Sequence, residues 1–275
     1  MLSADRLLFI ALSFFAGSAL SCAPKTAAAS DSGASGPGRA SDPFEARIAA
    51  AAREAALPPE LSAALAAAAR NERPALEAEL AAIRAADPFL SVLVDKQRPL
   101  PEDYAPGDLV ELADSSYRVN RKGHKLRAEA AASLERMGAV ARQEGITLLV
   151  SSAYRSLEYQ KTVYARIVAE LGQEAADRES ARPGHSQHQL GLAADFGSID
   201  DSFAATPASR WLQANAGRFG WSLSFPQGYE ALTGYRWESW HYRYVGEAAA
   251  AFIDRRFGGI QQYALQFLDA LGRIP

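Results

Sequence analysis

A single cysteine, Cys22, in a chain of 275 residues leaves no disulfide to close and no cysteine cage for a metal. The fold must then be held by an apolar core, and 48% hydrophobic residues supply enough for one. Any metal must be bound by imidazole and carboxylate. Only four imidazoles exist: His124, His185, His188 and His241. The formal net charge is −3, with acidic and basic residues interleaved throughout. That pattern lacks the clustered basic face of a nucleic-acid binder, so no nucleic-acid partner is expected.

The lone cysteine also marks a boundary. Residues 7–20 are an apolar run broken only by Ser13, Gly17 and Ser18 and preceded by Arg6. A bilayer span needs about 20 apolar residues, so this shorter run reads as a signal-peptide core. It ends in Ala19-Leu20-Ser21-Cys22, which resembles a bacterial lipoprotein cleavage box. The resemblance implies cleavage before Cys22 and a lipid on its thiol; ordinary secretion with a free thiol is the alternative. An exported, membrane-anchored protein facing the periplasm or cell wall is expected, with residues 1–21 removed. Residues 22–42 are mostly Ala, Ser, Gly and Pro without large apolar side chains, and read as a flexible tether.

The rest is patterned. Residues 43–90 are rich in Ala, Glu, Arg and Leu, and Pro58-Pro59 and Pro74 cut them into about three helices, an Ala-rich helical pre-domain. Residues 91–275 form the main domain with a C-terminal helical tail. An extended, proline-containing stretch covers 91–112. Apolar residues at three- and four-residue spacing predict a helix over 121–144, with His124 in its solvated first turn. A second helix runs over 157–171, capped by Ser156 and followed by Gly172. A third begins at Thr206-Pro207 and stops at Gly217. Strands are expected at 146–151, 192–196, 221–225 and 240–245, and the tail, 247–271, breaks at Gly258-Gly259. Without a regular βαβ rhythm, the fold class is α+β: a small antiparallel sheet flanked by helices.

The informative stretch is Ser186-Gln187-His188-Gln189-Leu190-Gly191-Leu192-Ala193-Ala194-Asp195. His188 sits in a polar loop and Asp195 ends an apolar strand, with Gly191 free to turn both toward one point. Two such ligands need a third, and His241 is the best remaining choice. Glu238 precedes it by three residues, an offset that puts the pair on opposite faces of a regular strand. A turn or bulge at Ser239-Trp240 is therefore required if both are to reach one ion. His185 is read as a rim or supporting residue. Among Trp237, Trp240, Tyr242 and Tyr244, most are expected in the core, with Trp240 walling the cleft.

Ser186-x-His188-x-x-Gly191-x-Ala193-x-Asp195, followed by Glu238-x-x-His241, resembles the VanY-type D-alanyl-D-alanine carboxypeptidases. The similarity runs over 91–246 and includes Leu93-Val94-Asp95-Lys96-Gln97-Arg98-Pro99-Leu100-Pro101 and Ser152-Ala153-Tyr154-Arg155-Ser156 with Gln160. It departs from the usual pattern at Ala153, commonly Gly, and at Ser239, often Pro. The resemblance implies a zinc peptidase acting on peptidoglycan stem peptides. It implies that His188, Asp195 and His241 bind Zn2+, that Glu238 is the base and that Arg155 meets the substrate carbonyl. Ser186, Gln160, Tyr154 and Trp240 are then expected in the substrate site. A D,D- or L,D-carboxypeptidase and a wall endopeptidase share all these residues; a non-catalytic wall-binding module with a retained metal site is the alternative that an intact Glu238 argues against, and a monomer is the default.

Overall fold

The computed structural model describes residues 42–274. The leader, the cysteine box and nearly all of the tether lie outside them. The N-terminal helices are α1 (Pro43–Glu54), α2 (Pro59–Asn71) and α3 (Arg73–Ala85). Each carries proline in its first turn, where a missing N–H costs nothing. Asp42 caps α1, its carboxylate accepting from the Phe44 amide at 2.8 Å.

The main domain follows with β1 (Leu109–Glu111), β2 (Arg118–Val119), β3 (Lys125–Arg127), α4 (Ala128–Gln143), β4 (Leu149–Ser152), α5 (Leu157–Leu171) and α6 (Gln173–Glu179). Then come β5 (Ala193–Phe196), α7 (Pro207–Asn215), β6 (Trp221–Leu223), α8 (Glu230–Thr233), β7 (His241–Tyr244), α9 (Glu247–Phe257) and α10 (Gln261–Arg273). The main sheet has five strands in the order β2-β4-β5-β7-β6, and β1 pairs with β3 in a separate ribbon. The fold is α+β as expected. One sheet edge differs, because β2 and β4 pair in parallel. Helix α4 lies between them in the chain and supplies the long crossover that a parallel pair needs.

The helix expected over 121–144 begins only at Ala128. Gly123, at φ 87°, turns the chain first, and residues 125–127 become a strand with Leu126 pointing into the core. His124 is therefore not solvated. It is buried, and its Nε2 lies 2.7 Å from Asn120 Oδ1. The third helix ends at Asn215, and a short 3-10 turn carries the chain through Gly217 to Gly220.

Two apolar cores result. One lies between α4 and the sheet, built on Leu126, Leu134, Met137, Val150, Phe196, Trp221 and Tyr242. The other joins the two ends of the domain: Ile48, Leu65, Leu76 and Leu80 pack with Phe252, Phe257 and Phe267. The N-terminal helices and the C-terminal tail thus pack as one helical layer. Burial of each such side chain contributes about 1.5–3 kcal/mol, enough to hold short helices that are marginal alone. Arg256 fastens the layer further, reaching both Glu72 and Glu79 across from α3.

Helix α5 spans the residues expected of it. Ser156 Oγ accepts from the Tyr159 amide at 3.1 Å, and Gly172 ends the helix at φ 79°. Ser156→Ala should cost about 1 kcal/mol by urea titration, the usual value of an N-cap.

Candidate metal centre

Sheet register does the first part of the assembly. Asp195 on β5 lies directly opposite His241 on β7. Cross-strand partners project to the same face, so carboxylate and imidazole meet without any loop to guide them. Asp195 Oδ1 is 3.0 Å from His241 Nδ1. His188 arrives from a 3-10 turn over Gln187–Leu190, capped by Ser186, whose Oγ accepts from the His188 amide. Gly191 ends that turn at φ 71° in the left-handed region. A Cβ there would lie 2.9 Å from Leu109 Cδ2 and 3.0 Å from Arg127 Cγ. Gly191→Ala should therefore cost at least about 1–2 kcal/mol in conformation alone, read by urea titration.

The three side chains offer one ligand atom each, all within 4.8 Å of one another, and all three residues are buried. Their outward bonds settle which atoms face inward. His188 Nδ1 lies 2.8 Å from the Ala153 carbonyl, which leaves Nε2 with its lone pair toward the cluster. That Nε2 and Asp195 Oδ1 are buried without a well-formed hydrogen bond. Buried polar atoms are nearly always paired, so two orphans converging on one point mark a place for a cation. Two imidazoles and one carboxylate are a donor set that suits zinc.

Glu238 stands beside this cluster. The tight turn expected at Ser239-Trp240 is present, with the His241 amide donating to the Glu238 carbonyl. It brings Glu238 Oε2 to 3.5 Å from His241 Nδ1. Burial, and then the nearby Asp195 charge, push the Glu238 carboxyl well above its usual range, against the pull of Arg155 and Arg236. Burial also tends to raise Asp195, but His188 and His241 beside it hold it well below the carboxylate range. Arg155 Nη2 donates to Asp195 Oδ2 at 3.0 Å and to Ser152 Oγ at 2.9 Å.

A cleft of about 400 Å3 opens over these groups. Ser186, Arg155, Glu238 and Trp240 line it, as expected, and so does His185, whose Nδ1 lies 2.7 Å from the Asp95 carbonyl. The Arg236 guanidinium packs 5.4 Å above the Trp240 ring. Two expected residues do not line it. Gln160 is wholly buried behind the wall, donating to the Ala181 carbonyl at 2.8 Å, and Tyr154 lies off the cleft. Their place in the motif was visible in sequence, but which way a helix or strand end faces was not. Tyr242 and Tyr244 are core. Gln187 is a further residue of the centre: its Oε1 is 3.1 Å from His241 Nε2. No sequence signal separates it from the other variable positions of the motif.

Fold and site together define a class: an α+β domain with a two-histidine, one-aspartate centre and a buried glutamate at its side. The chain belongs to the VanY family. The family model described as "VanY: D-alanyl-D-alanine carboxypeptidase" matches residues 123–247. The Bacillus subtilis protein YodJ is 37% identical over 179 residues, covering 62% of this chain and 65% of that protein. A D-alanyl-D-alanine carboxypeptidase of Enterococcus faecalis is 33% identical, over 62% of this chain and 64% of its own length. The chain thus spans somewhat under two thirds of these curated relatives. Among solved structures, the LdcB LD-carboxypeptidase is 35% identical, with a TM-score of 0.55 over 61% of this chain and 85% of that one. A zinc complex of a mutant of the vancomycin-resistance D,D-pentapeptidase VanY is 32% identical, with a TM-score of 0.55 over 64% of this chain and 99% of that one.

Proposed function

We propose that this protein is a zinc-dependent carboxypeptidase that removes the terminal D-amino acid from peptidoglycan stem peptides. The observation that carries the reading is the convergence of His188 Nε2, an Asp195 oxygen and His241 Nδ1, with the Glu238 carboxylate beside them in an open cleft. Bound zinc would supply a water of lowered pKa and polarise the scissile carbonyl. Glu238 then accepts the proton of the attacking water and hands it to the leaving amine. Its buried carboxyl holds protons more tightly than a surface glutamate, which suits both transfers. Arg155, fixed by Ser152 and Asp195 at the cleft wall, offers positive charge where the carbonyl oxygen becomes negative. Ser186 and Trp240 would bound the bound peptide.

Relatives of both bond preferences support a choice between two readings. D,D-cleavage is the first, on the likeness to the VanY pentapeptidase; L,D-cleavage is the second, on the likeness to LdcB. Incubation with stem pentapeptide and tetrapeptide, followed by mass analysis with and without a chelator, separates them. Loss of one alanine from the pentapeptide alone is the expected result; loss from the tetrapeptide moves the assignment to L,D. No loss from either with zinc supplied ends the carboxypeptidase reading.

We also infer that the protein is exported and held to a membrane by a lipid on Cys22, acting as a monomer on the cell wall. The apolar run at 7–20 and the Ala19-Leu20-Ser21-Cys22 box support this. Cys22→Ala should move the protein from the membrane to the soluble exported fraction.

A further inference from the structure

The imidazole of His241 is fixed by a chain of buried amides that ends in the C-terminal helical layer, outside the family match at 123–247. Gln261 opens α10 and is 1% exposed. Its Nε2 donates to the Ser222 backbone carbonyl at 3.1 Å. A carbonyl oxygen only accepts, so the Gln261 amide has one orientation, with Oε1 turned the other way. That Oε1 faces Gln187 Nε2 and Ser224 Oγ, each at 3.4 Å. Gln187 must then present Nε2 to Gln261 and Oε1 to His241. Its Oε1 accepts the Ser224 hydroxyl at 2.7 Å and lies 3.1 Å from His241 Nε2. An acceptor at that point demands a proton on His241 Nε2. Nδ1 is left as the lone pair facing Asp195 and the shared point. Gln187 and Ser224 are also buried, which strengthens these bonds.

We propose that Gln261 is a positioning residue that sets the tautomer and ring orientation of His241 through Gln187. The proposal rests on the reading that the cluster holds zinc. The polarity of the whole relay originates at one backbone carbonyl of β6, which cannot flip as a side-chain amide can. The layer made by the N-terminal helices and the C-terminal tail thus reaches the centre by hydrogen bonds as well as by packing. Partners of metal-bound histidine typically change metal affinity by about 10–100-fold when removed.

The test is zinc affinity of the metal-freed full chain, by competition with a chromophoric chelator, alongside the visible spectrum of the cobalt form. Gln187→Met should weaken zinc by roughly 10–100-fold, and Gln261→Met by roughly tenfold, with altered cobalt bands. Because both act on one bond, the double variant should bind no more weakly than Gln187→Met alone. Phe267→Leu loosens α10 from its apolar side and should leave affinity unchanged. The relay is overturned if Gln261→Met binds within about twofold of wild type, or if the two losses multiply. It is also overturned if Phe267→Leu weakens zinc as much as Gln261→Met does. Should Gln261→Met not fold, Gln261→Leu, alone and with Gln187→Met, repeats the same coupling measurement. A wild-type protein that binds no zinc overturns the metal reading itself, a result distinct from normal wild-type binding with no effect of the variants.

Discussion

Glu238→Ala should retain zinc at wild-type affinity and lose turnover of stem peptide by about 10^3-fold, the scale of a general acid–base contribution. The two halves of that result have separate causes. Metal affinity depends on the convergent atoms of His188, Asp195 and His241, to which Glu238 adds no ligand. Turnover depends on a carboxylate placed to take and return a proton, and the turn at Ser239-Trp240 puts this one 3.5 Å from His241 Nδ1. Its raised affinity for protons follows first from burial and then from the Asp195 charge. Glu238→Gln keeps the shape and the burial but not the base, so it should fall as far as alanine. Turnover by Glu238→Ala within tenfold of wild type would remove the assigned role. A non-catalytic wall-binding protein would behave alike in both forms, with equal retention on purified wall and no peptide cleavage by either.

The second large effect concerns acid. In the metal-free protein, burial and then the Arg155 charge push the His188 imidazole down to about 4, against the pull of Asp195. In an unfolded chain a histidine titrates near 6.5. The unfolded state therefore takes up a proton that the folded state refuses. Stability from this group is whole above the unfolded value and is lost as pH falls from about 6.5 to 4, by about 3 kcal/mol in all. Glu238 runs the other way. Its folded value is raised, so ionisation costs the folded state progressively as pH rises above the unfolded glutamate range. The two slopes oppose each other where their windows overlap. Urea titrations of the chelated wild type should thus be comparatively flat between about pH 4.5 and 6.5. The chelated Glu238→Gln variant, freed of that opposing group, should lose at least about 3 kcal/mol on acidification, buried His124 acting in the same direction as His188. A flat profile in that variant would mean His188 is not held neutral by burial.

Much of the molecule was readable from local pattern. Proline in the first turn, Ser156 and Gly172 at the ends of α5, and Gly258-Gly259 in the tail all act within a few residues of where they stand. The ligand set was readable too, because only four histidines exist and two of them sit in spaced motifs. Patterns failed where a distant partner overrode a local preference. Residues 125–127 satisfy helical spacing, yet they form a strand because β1 offers an edge and the Arg127 amide reaches the Gly191 carbonyl. His124 looked solvated among its basic neighbours, and is buried for the same reason.

Local sequence was enough to show which groups could hold a metal and where α5 starts and stops, since ligand chemistry and capping are properties of short segments. Packing of distant elements set the rest. Sheet register set Asp195 opposite His241, and the fold turned Gln160 and Tyr154 away from the cleft while leaving Arg155 in it. It also merged α1–α3 with the C-terminal tail into one layer and carried Gln261 to within reach of Gln187. Contacts between residues dozens of positions apart depend on how elements pack, and no local pattern records that.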